Sequence, residues 1–363
     1  TSTTYLLDAI LRQIGRTTGL TSTAERHIAG EVIVSRLTTP ESPEMQALIA
    51  RMRERGVTDI AVEVSAQALT QLRVDGLHFD VAGFTNLSHD HFDDYGGFEP
   101  YLKAKAELFT LKRSKHAVVC LDTEYGQRIV ELSEVPVTTI SSHKDIVADW
   151  KVEVLEELPG LTKFSLTSAS GESLVSAIPI IGSHMAANAG LAIVMAVVAG
   201  HSFEAIKLAI KDGIDAYLPG RTELISPAGA PAVYVDFGHS PDAFLNTLAA
   251  VRKVTTGKVL MLFGADGDRD PSKREDMAKV AAAGCDILVI TDHHPRFENP
   301  ASIRKTLFEA AKALRPAAVK LVGPGDSILW AGPGHQDYRD IEGVRTPYSA
   351  RAEARAALKE LGY

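Results

Sequence analysis

The chain has 363 residues, enough for about two or three domains. Its 45% hydrophobic and 23% charged content is that of an ordinary soluble globular protein, and a formal net charge of -8 argues against a nucleic-acid-binding face. No apolar run reaches the roughly 20 residues of a membrane span, which argues against membrane insertion. The longest, 191–199, reads as a core helix. Cys120 and Cys285 lie in or beside apolar runs, so buried free thiols in a reducing cytoplasm are expected rather than a disulfide.

The chain opens with hydroxyl residues, Thr1 to Thr4, running into Leu6, Leu7, Ile10 and Leu11. This pattern predicts a helix over 4–15. A short strand follows at 31–34. Thr38-Thr39-Pro40-Glu41 then reads as an N-cap with proline opening a helix that runs to Arg55. The runs 60–64 and 81–84 have the continuous apolar character of buried parallel strands. Glu63 sits inside the first, where a carboxylate is costly unless paired or bound to a metal. Asn86, Asp90 and His91 follow the second, at the strand end where open α/β sheets place ligands.

Ser65 and Arg73 flank a helix after Glu63. Gly96-Gly97 signals a turn, and 98–109 is then helical, with Tyr101, Ala104 and Leu108 on one face and Lys105 one turn after Tyr101. A snorkelling stem is the ordinary reading of such a lysine. Short strands at 117–121, 135–140, 163–167 and 174–179 suggest a smaller antiparallel sheet. Gly182 to Asn188 leads into a long helix. Leu218-Pro219-Gly220-Arg221 marks a boundary that divides domain 1–220 from domain 221–363.

In the second half, strands at 232–235, 259–263, 287–291 and 327–331 alternate with helices, which suggests a Rossmann-like sheet. Each ends in a polar cluster, and the clusters contain Asp236 and His239, then Arg269 with Lys273, then His293, His294 and Arg296, then Gly332 and Gln336. Four such clusters at strand ends converge on one face. No Gly-x-Gly-x-x-Gly follows the first strand, which argues against a dinucleotide. Adjacent His293 and His294, with no cysteine or second histidine pair at finger spacing, argue against zinc.

As a set these motifs resemble the Mur ligases, most closely the MurE-like branch, which adds the third amino acid of the peptidoglycan stem peptide. The resemblance runs from Thr1 to Tyr348. It implies an α/β fold: a central P-loop-type ATPase domain with a parallel sheet, then a C-terminal Rossmann-like domain. Thr1 matches the last residue of the family's Gly-x-x-Gly-Lys-Thr phosphate loop. The Gly-Lys pair and the family's N-terminal uridine-binding domain do not precede it, so a fragment, or a chain with upstream residues left out, is expected. The implied activity is an ATP-dependent ligase joining an amino acid to UDP-MurNAc-L-Ala-D-Glu through an acyl phosphate, in a cytoplasmic monomer.

The same resemblance implies roles. Thr1, Asn188, Arg221, Asp236 and His239 would meet ATP. Thr1, Glu63, His91 and Lys105 would hold Mg2+, with Lys105 carbamylated by carbon dioxide, and Glu63, His91 and Lys105 would form the catalytic group. Thr38, Thr39, Ser65 and Arg73 would contact the UDP-MurNAc-peptide. Arg269, His293, His294, Arg296, Gly332 and Gln336 would contact the incoming amino acid.

The sequence also departs from the family pattern. Ala66-Gln67 replaces a common Ser-His, and Met185 replaces an adenine-contacting Asn. His293-His294-Pro295-Arg296 stands where enzymes taking diaminopimelate carry Asp-Asn-Pro-Arg, and Gln336 stands for a Glu. The stretch 319–323 is shorter than in the family. A diamino acid is therefore expected, with lysine ahead of ornithine and diaminopimelate. Two other readings stay open: a sister ligase such as folylpolyglutamate synthase, and a Mur-like binding protein without ATPase activity.

Overall fold

The structure, a computed structural model, describes residues 1–88, 92–313 and 325–363, and the side chains of residues 92 and 93 are outside that description. His91 and the short stretch at 319–323 therefore lie outside the described residues. The first half runs α1 (Ser2–Gln13), β1 (Thr18–Thr21), β2 (Glu25–Ile28), β3 (Glu31–Val34), α2 (Ser42–Glu54), β4 (Asp59–Val62), α3 (Ala66–Thr70), β5 (Phe79–Phe84), α4 (Phe92–Tyr95), α5 (Phe98–Ala106), β6 (Ser114–Cys120), α6 (Glu124–Leu132), β7 (Val137–Ser141), β8 (Trp150–Leu158), β9 (Leu161–Ser168), β10 (Ser173–Ile178), α7 (Ser183–Val198) and α8 (Phe203–Ala209).

The two apolar runs around Glu63 and Phe84 belong to different sheets. β4 pairs parallel to β1 in a four-stranded sheet of order β3-β2-β1-β4, whereas β5 is the edge of a six-stranded sheet of order β10-β9-β8-β7-β6-β5. β4 is only half buried, with Ile60 at 37% exposure, because its far side opens on a cleft. The six-stranded sheet is mixed rather than a separate antiparallel unit. β5, β6, β7 and β8 are parallel, and β8, β9 and β10 form the antiparallel portion.

The helix expected to open at Pro40 begins instead at Ser42, with Glu41 at the N-cap and Pro43 in the first turn. The hydroxyl of Thr39 is used elsewhere: it donates to Glu63 O (2.8 Å) and accepts from Ser65 N–H (3.1 Å). A buried hydroxyl that satisfies two backbone groups is worth more there than at an exposed cap.

Helix α7, apolar almost all round, is buried as such a helix must be. It packs beside α1 and against β5, β6, β8 and β9, forming the core of the first half with Leu6, Ile10, Phe164 and Leu166. Gly190 lets it approach the sheet, since a Cβ there would overlap Val152.

The second half runs β11 (Glu223–Leu224), β12 (Ala232–Asp236), α9 (Pro241–Val254), β13 (Val259–Phe263), α10 (Arg274–Gly284), β14 (Ile287–Ile290), α11 (Pro300–Lys312), β15 (Ser327–Ala331), the hairpin β16 (Tyr338–Ile341) with β17 (Val344–Pro347), and α12 (Ala350–Glu360). Its five-stranded sheet has order β11-β12-β15-β13-β14, with β12, β15, β13 and β14 parallel. All four polar clusters therefore leave from the same edge of one sheet.

The halves meet at Gly220 (φ +62°), where a Cβ would overlap the Gly334–His335 backbone, and at an ion pair between Lys253 and the buried Glu157. No described helix is long and apolar enough to cross a membrane.

Candidate active site

A cleft of about 1090 Å³ runs between the halves. On the first wall, Glu63 leaves the end of β4 and its carboxylate collects hydroxyls from distant parts of the chain. Thr1 Oγ1 lies 2.8 and 2.9 Å from its two oxygens, Thr23 Oγ1 donates at 2.9 Å and Thr23 N–H at 2.8 Å. Thr38 Oγ1 sits 3.0 Å from Thr23 Oγ1. Burial pushes the Glu63 carboxyl up, but the Arg221 guanidinium and the Thr23 amide act against it and help hold it below the usual carboxylate range.

Thr1 is also the N-cap of α1, so the helix's free N–H groups face the same space. Lys105 lines the cleft with its ammonium 4.9 Å from the Tyr101 ring centroid. Ser65 caps α3 by accepting from Ala68 N–H (3.1 Å) and also lines the cleft. Arg73 lies behind, donating to Thr39 O (3.3 Å) and pairing with Glu41 (2.9 Å).

The second wall starts at the linker. Arg221 Nη2 donates to Thr1 Oγ1 (2.8 Å), and its guanidinium lies 4.4 Å over Phe237. One side chain thus ties the two walls together beside Glu63. Asp236 is buried and held on both oxygens, by Thr222 N–H (2.7 Å) and Oγ1 (3.1 Å) and by Gly238 N–H (2.6 Å). It fixes the linker to the end of β12. His239 Nδ1 is 2.8 Å from Phe237 O, and the residue lines the cleft. Asn188 faces from α7, and Arg269 is exposed at the cleft edge.

The loops after β13 and β14 pack backbone to backbone, because Gly264 and Gly267 have no Cβ to collide with Thr291 O and Pro295 O. This brings Asp266 to His293, with Oδ1 2.5 Å from Nδ1, and to Arg296, 3.6 Å away. Burial pushes the Asp266 carboxyl up, but His293 outweighs it and holds it far below the carboxylate range. His294 is buried behind. It accepts from Asp340 N–H on Nδ1 (2.9 Å), which leaves its Nε2 hydrogen to donate to Gln336 Oε1 (2.8 Å). Burial pushes its imidazole towards the neutral form.

Thr1, Thr38, Glu63, Ser65, Lys105, Asn188, Arg221, Asp236, His239, Arg269, His293, Arg296, Gly332 and Gln336 all line this one cleft, whereas Thr39, Arg73 and His294 support it from behind. Sequence reading overlooked Thr23, Phe237 and Asp266. It also overlooked Asp122, which accepts from Ser141 and Ser142 at the ends of β6 and β7. Only the strand-end position of Asp122 and Asp266 could have singled them out.

A helix N-terminus and a buried carboxylate on one side, and the strand ends of a parallel sheet on the other, define an α/β protein of two halves with its candidate site in the cleft between them. Residues 1–196 match the Mur ligase middle domain and residues 220–334 the Mur ligase glutamate ligase domain. The chain is 52% identical, over all of its length and 74% of the relative's, to a UDP-N-acetylmuramyl-tripeptide synthetase of Leifsonia xyli subsp. xyli. It is 39% identical, over 99% of its length and 74% of the relative's, to a UDP-N-acetylmuramoyl-L-alanyl-D-glutamate--2,6-diaminopimelate ligase of Streptomyces coelicolor. A solved structure of a diaminopimelate ligase of that type superposes with a TM-score of 0.67 at 25% identity, covering 100% of this chain and 77% of the other. The chain belongs to the Mur ligase family.

Proposed function

We propose that this chain uses ATP to join a diamino acid to the free side-chain carboxylate of UDP-MurNAc-L-Ala-D-Glu, the third-residue step of peptidoglycan synthesis. The observation that carries this reading is the junction of Thr1, Glu63 and Arg221, where a helix N-terminus, a buried carboxylate and a cation from the other half meet in one cleft. Residues 1–220 act as the ATPase domain and 221–363 as the ligase domain, in a cytoplasmic monomer.

The α1 N-terminus, Asn188, Arg221, Asp236 and His239 surround ATP, with Asp236 holding the linker in place. The acceptor carboxylate attacks the γ-phosphorus and ADP leaves, which gives the acyl carbon a phosphate leaving group that a bare carboxylate lacks towards an amine. The amine of the incoming amino acid then attacks the acyl carbon, phosphate departs, and the nitrogen loses its proton. Thr38 and Ser65, set by Thr39 and Arg73, hold the UDP-MurNAc-peptide. Arg269, His293, Arg296, Gly332 and Gln336, with His294 behind them, form the amino-acid wall. Closure of the halves excludes water from the acyl phosphate.

Among the described residues no three His, Cys, Asp or Glu side chains form a metal cage. The Glu63 carboxylate with the Thr1 and Thr23 hydroxyls is nevertheless a hard-oxygen set, which fits Mg2+ completed by phosphate oxygens and water. Thr1, Glu63, Lys105 and His91 would hold the metal, which neutralises phosphate charge when bound. Lys105 would join as a carbamate, since an ammonium would repel the cation.

The test is ADP release with UDP-MurNAc-dipeptide and amino acid supplied together and singly. Release that requires both supports the reading. Release without the dipeptide, or better turnover with a folate acceptor, overturns it.

A further inference from the structure

Arg221 stands at the centre of a linker turn that two carboxylates hold from opposite sides. Both of its neighbours take left-handed backbone angles, Gly220 at φ +62° and Thr222 at φ +42°. The second is unusual for a β-branched residue and persists only where surrounding groups enforce it. Asp236 holds the Thr222 side. Glu223 holds the other: its Oε2 accepts from Gly220 N–H (2.8 Å) and its Oε1 from the Tyr217 hydroxyl (2.9 Å). The Glu223 side chain is only 9% exposed and is not part of the cleft lining.

The last helix holds Glu223 in turn. Arg351, in the first turn of α12, lies 3.7 Å from its Oε2, and Arg355, one turn on, 3.7 Å from its Oε1. Arg351 also donates to His335 O (3.1 Å) and to Asp337 (3.3 Å). The Gly334–His335 backbone is the one that Gly220 meets with no room for a Cβ. The C-terminal helix, the β15 loop and the linker thus form one clamp around Gly220. From this clamped turn the Arg221 side chain runs over Phe237 to Thr1 Oγ1. A long side chain places its guanidinium only as well as its backbone is held, and a shift of about 1 Å at a reacting group costs up to about a hundredfold in rate.

We infer that Glu223 is a positioning residue for Arg221: with Arg351 it fixes the turn that delivers the guanidinium to the cleft beside Thr1 and Glu63. Removing its carboxylate strands Gly220 N–H and frees the turn, while the side chains that line the cleft keep their own contacts. This inference rests on the ligase reading above, in which Arg221 meets ATP.

The experiment measures ADP release, with kcat and a KM for each substrate, in the wild type, Glu223→Ala, Glu223→Gln and Arg351→Ala, each also combined with Arg221→Ala. Glu223→Ala is expected to lower kcat about tenfold and to leave the KM values for dipeptide and amino acid within about twofold. Glu223→Gln, whose amide oxygen still accepts from Gly220 N–H, is expected to keep at least about half of the wild-type kcat. Arg351→Ala is expected to lose about threefold in kcat, since it loosens the clamp without removing the Gly220 contact. In the Arg221→Ala background each change is expected to cost less than about 1.5-fold more, because the group it positions is gone.

Losses that multiply in the double variants overturn the inference, since a merely structural role acts whether or not Arg221 is present. A kcat within about twofold of wild type in a folded Glu223→Ala overturns it too, as does a loss confined to KM for the dipeptide or amino acid. If Glu223→Ala does not fold, the Arg351→Ala cycle decides by the same comparison. A wild type that releases no ADP with both substrates supplied overturns the ligase reading instead.

Discussion

The two walls of the cleft are built in different ways. The amino-acid wall is local: each side chain stands a few residues past the end of a parallel strand, and glycines let neighbouring loops touch. The Glu63 wall is long-range, since its carboxylate draws on Thr1 and Thr23 while Arg221 reaches across from the linker. The first wall can change its specificity loop by loop. The second cannot change one residue without stranding several buried polar partners.

The sharpest way to break this comparison is at Glu63. Glu63→Gln removes the charge on which three donors and a cation converge, and ligation is expected to fall at least about a hundredfold. A steady-state assay with saturating ATP checks this, and a fall of less than about threefold would place the chemistry elsewhere.

Lys105→Ala should lower turnover nearly as far, with partial recovery on adding formate or acetate if the side chain acts as a carbamate. No recovery, together with a wild-type mass lacking bound carbon dioxide, would return Lys105 to an ordinary cation over Tyr101.

At the opposite wall, Gly267→Ala puts a methyl into Pro295 O. A loss of about 1–3 kcal/mol in urea unfolding is expected, with a raised amino-acid KM and an unchanged KM for ATP. Equal effects on both substrates would mean that the walls are not independent. Thr23→Val deletes one hydroxyl from Glu63, and about a five- to tenfold loss in kcat/KM is expected, on the scale of one hydrogen bond.

The smallest effect is one of pH. Behind α1, His27 sits between Asp8 and Glu25, 3.6 and 3.2 Å from their oxygens. Burial works against its charge, but these carboxylates hold its pKa up at about 9. A folded pKa above the unfolded value stabilises fully below about pH 6.5 and is lost as pH rises through about 9. The urea midpoint should fall modestly between those values, and His27→Gln should flatten the trend.

The sequence by itself determined the alternating α/β plan of the second half, with β13 and β15 at 259–263 and 327–331 as expected. It also determined the polar strand ends that make one wall of the site, because apolar runs and turn residues are local signals. The buried α7 was legible for the same reason. Tertiary structure alone decided that the strands around Glu63 and Phe84 belong to separate sheets, since either run satisfies the same apolar pattern in any parallel neighbourhood. It alone drew Thr39 away from the α2 cap to Glu63 O. It alone turned Gln336 and His294 towards each other and set Asp266 behind His293. Those choices depend on which buried polar groups find partners across the fold, and no spacing along the chain encodes that.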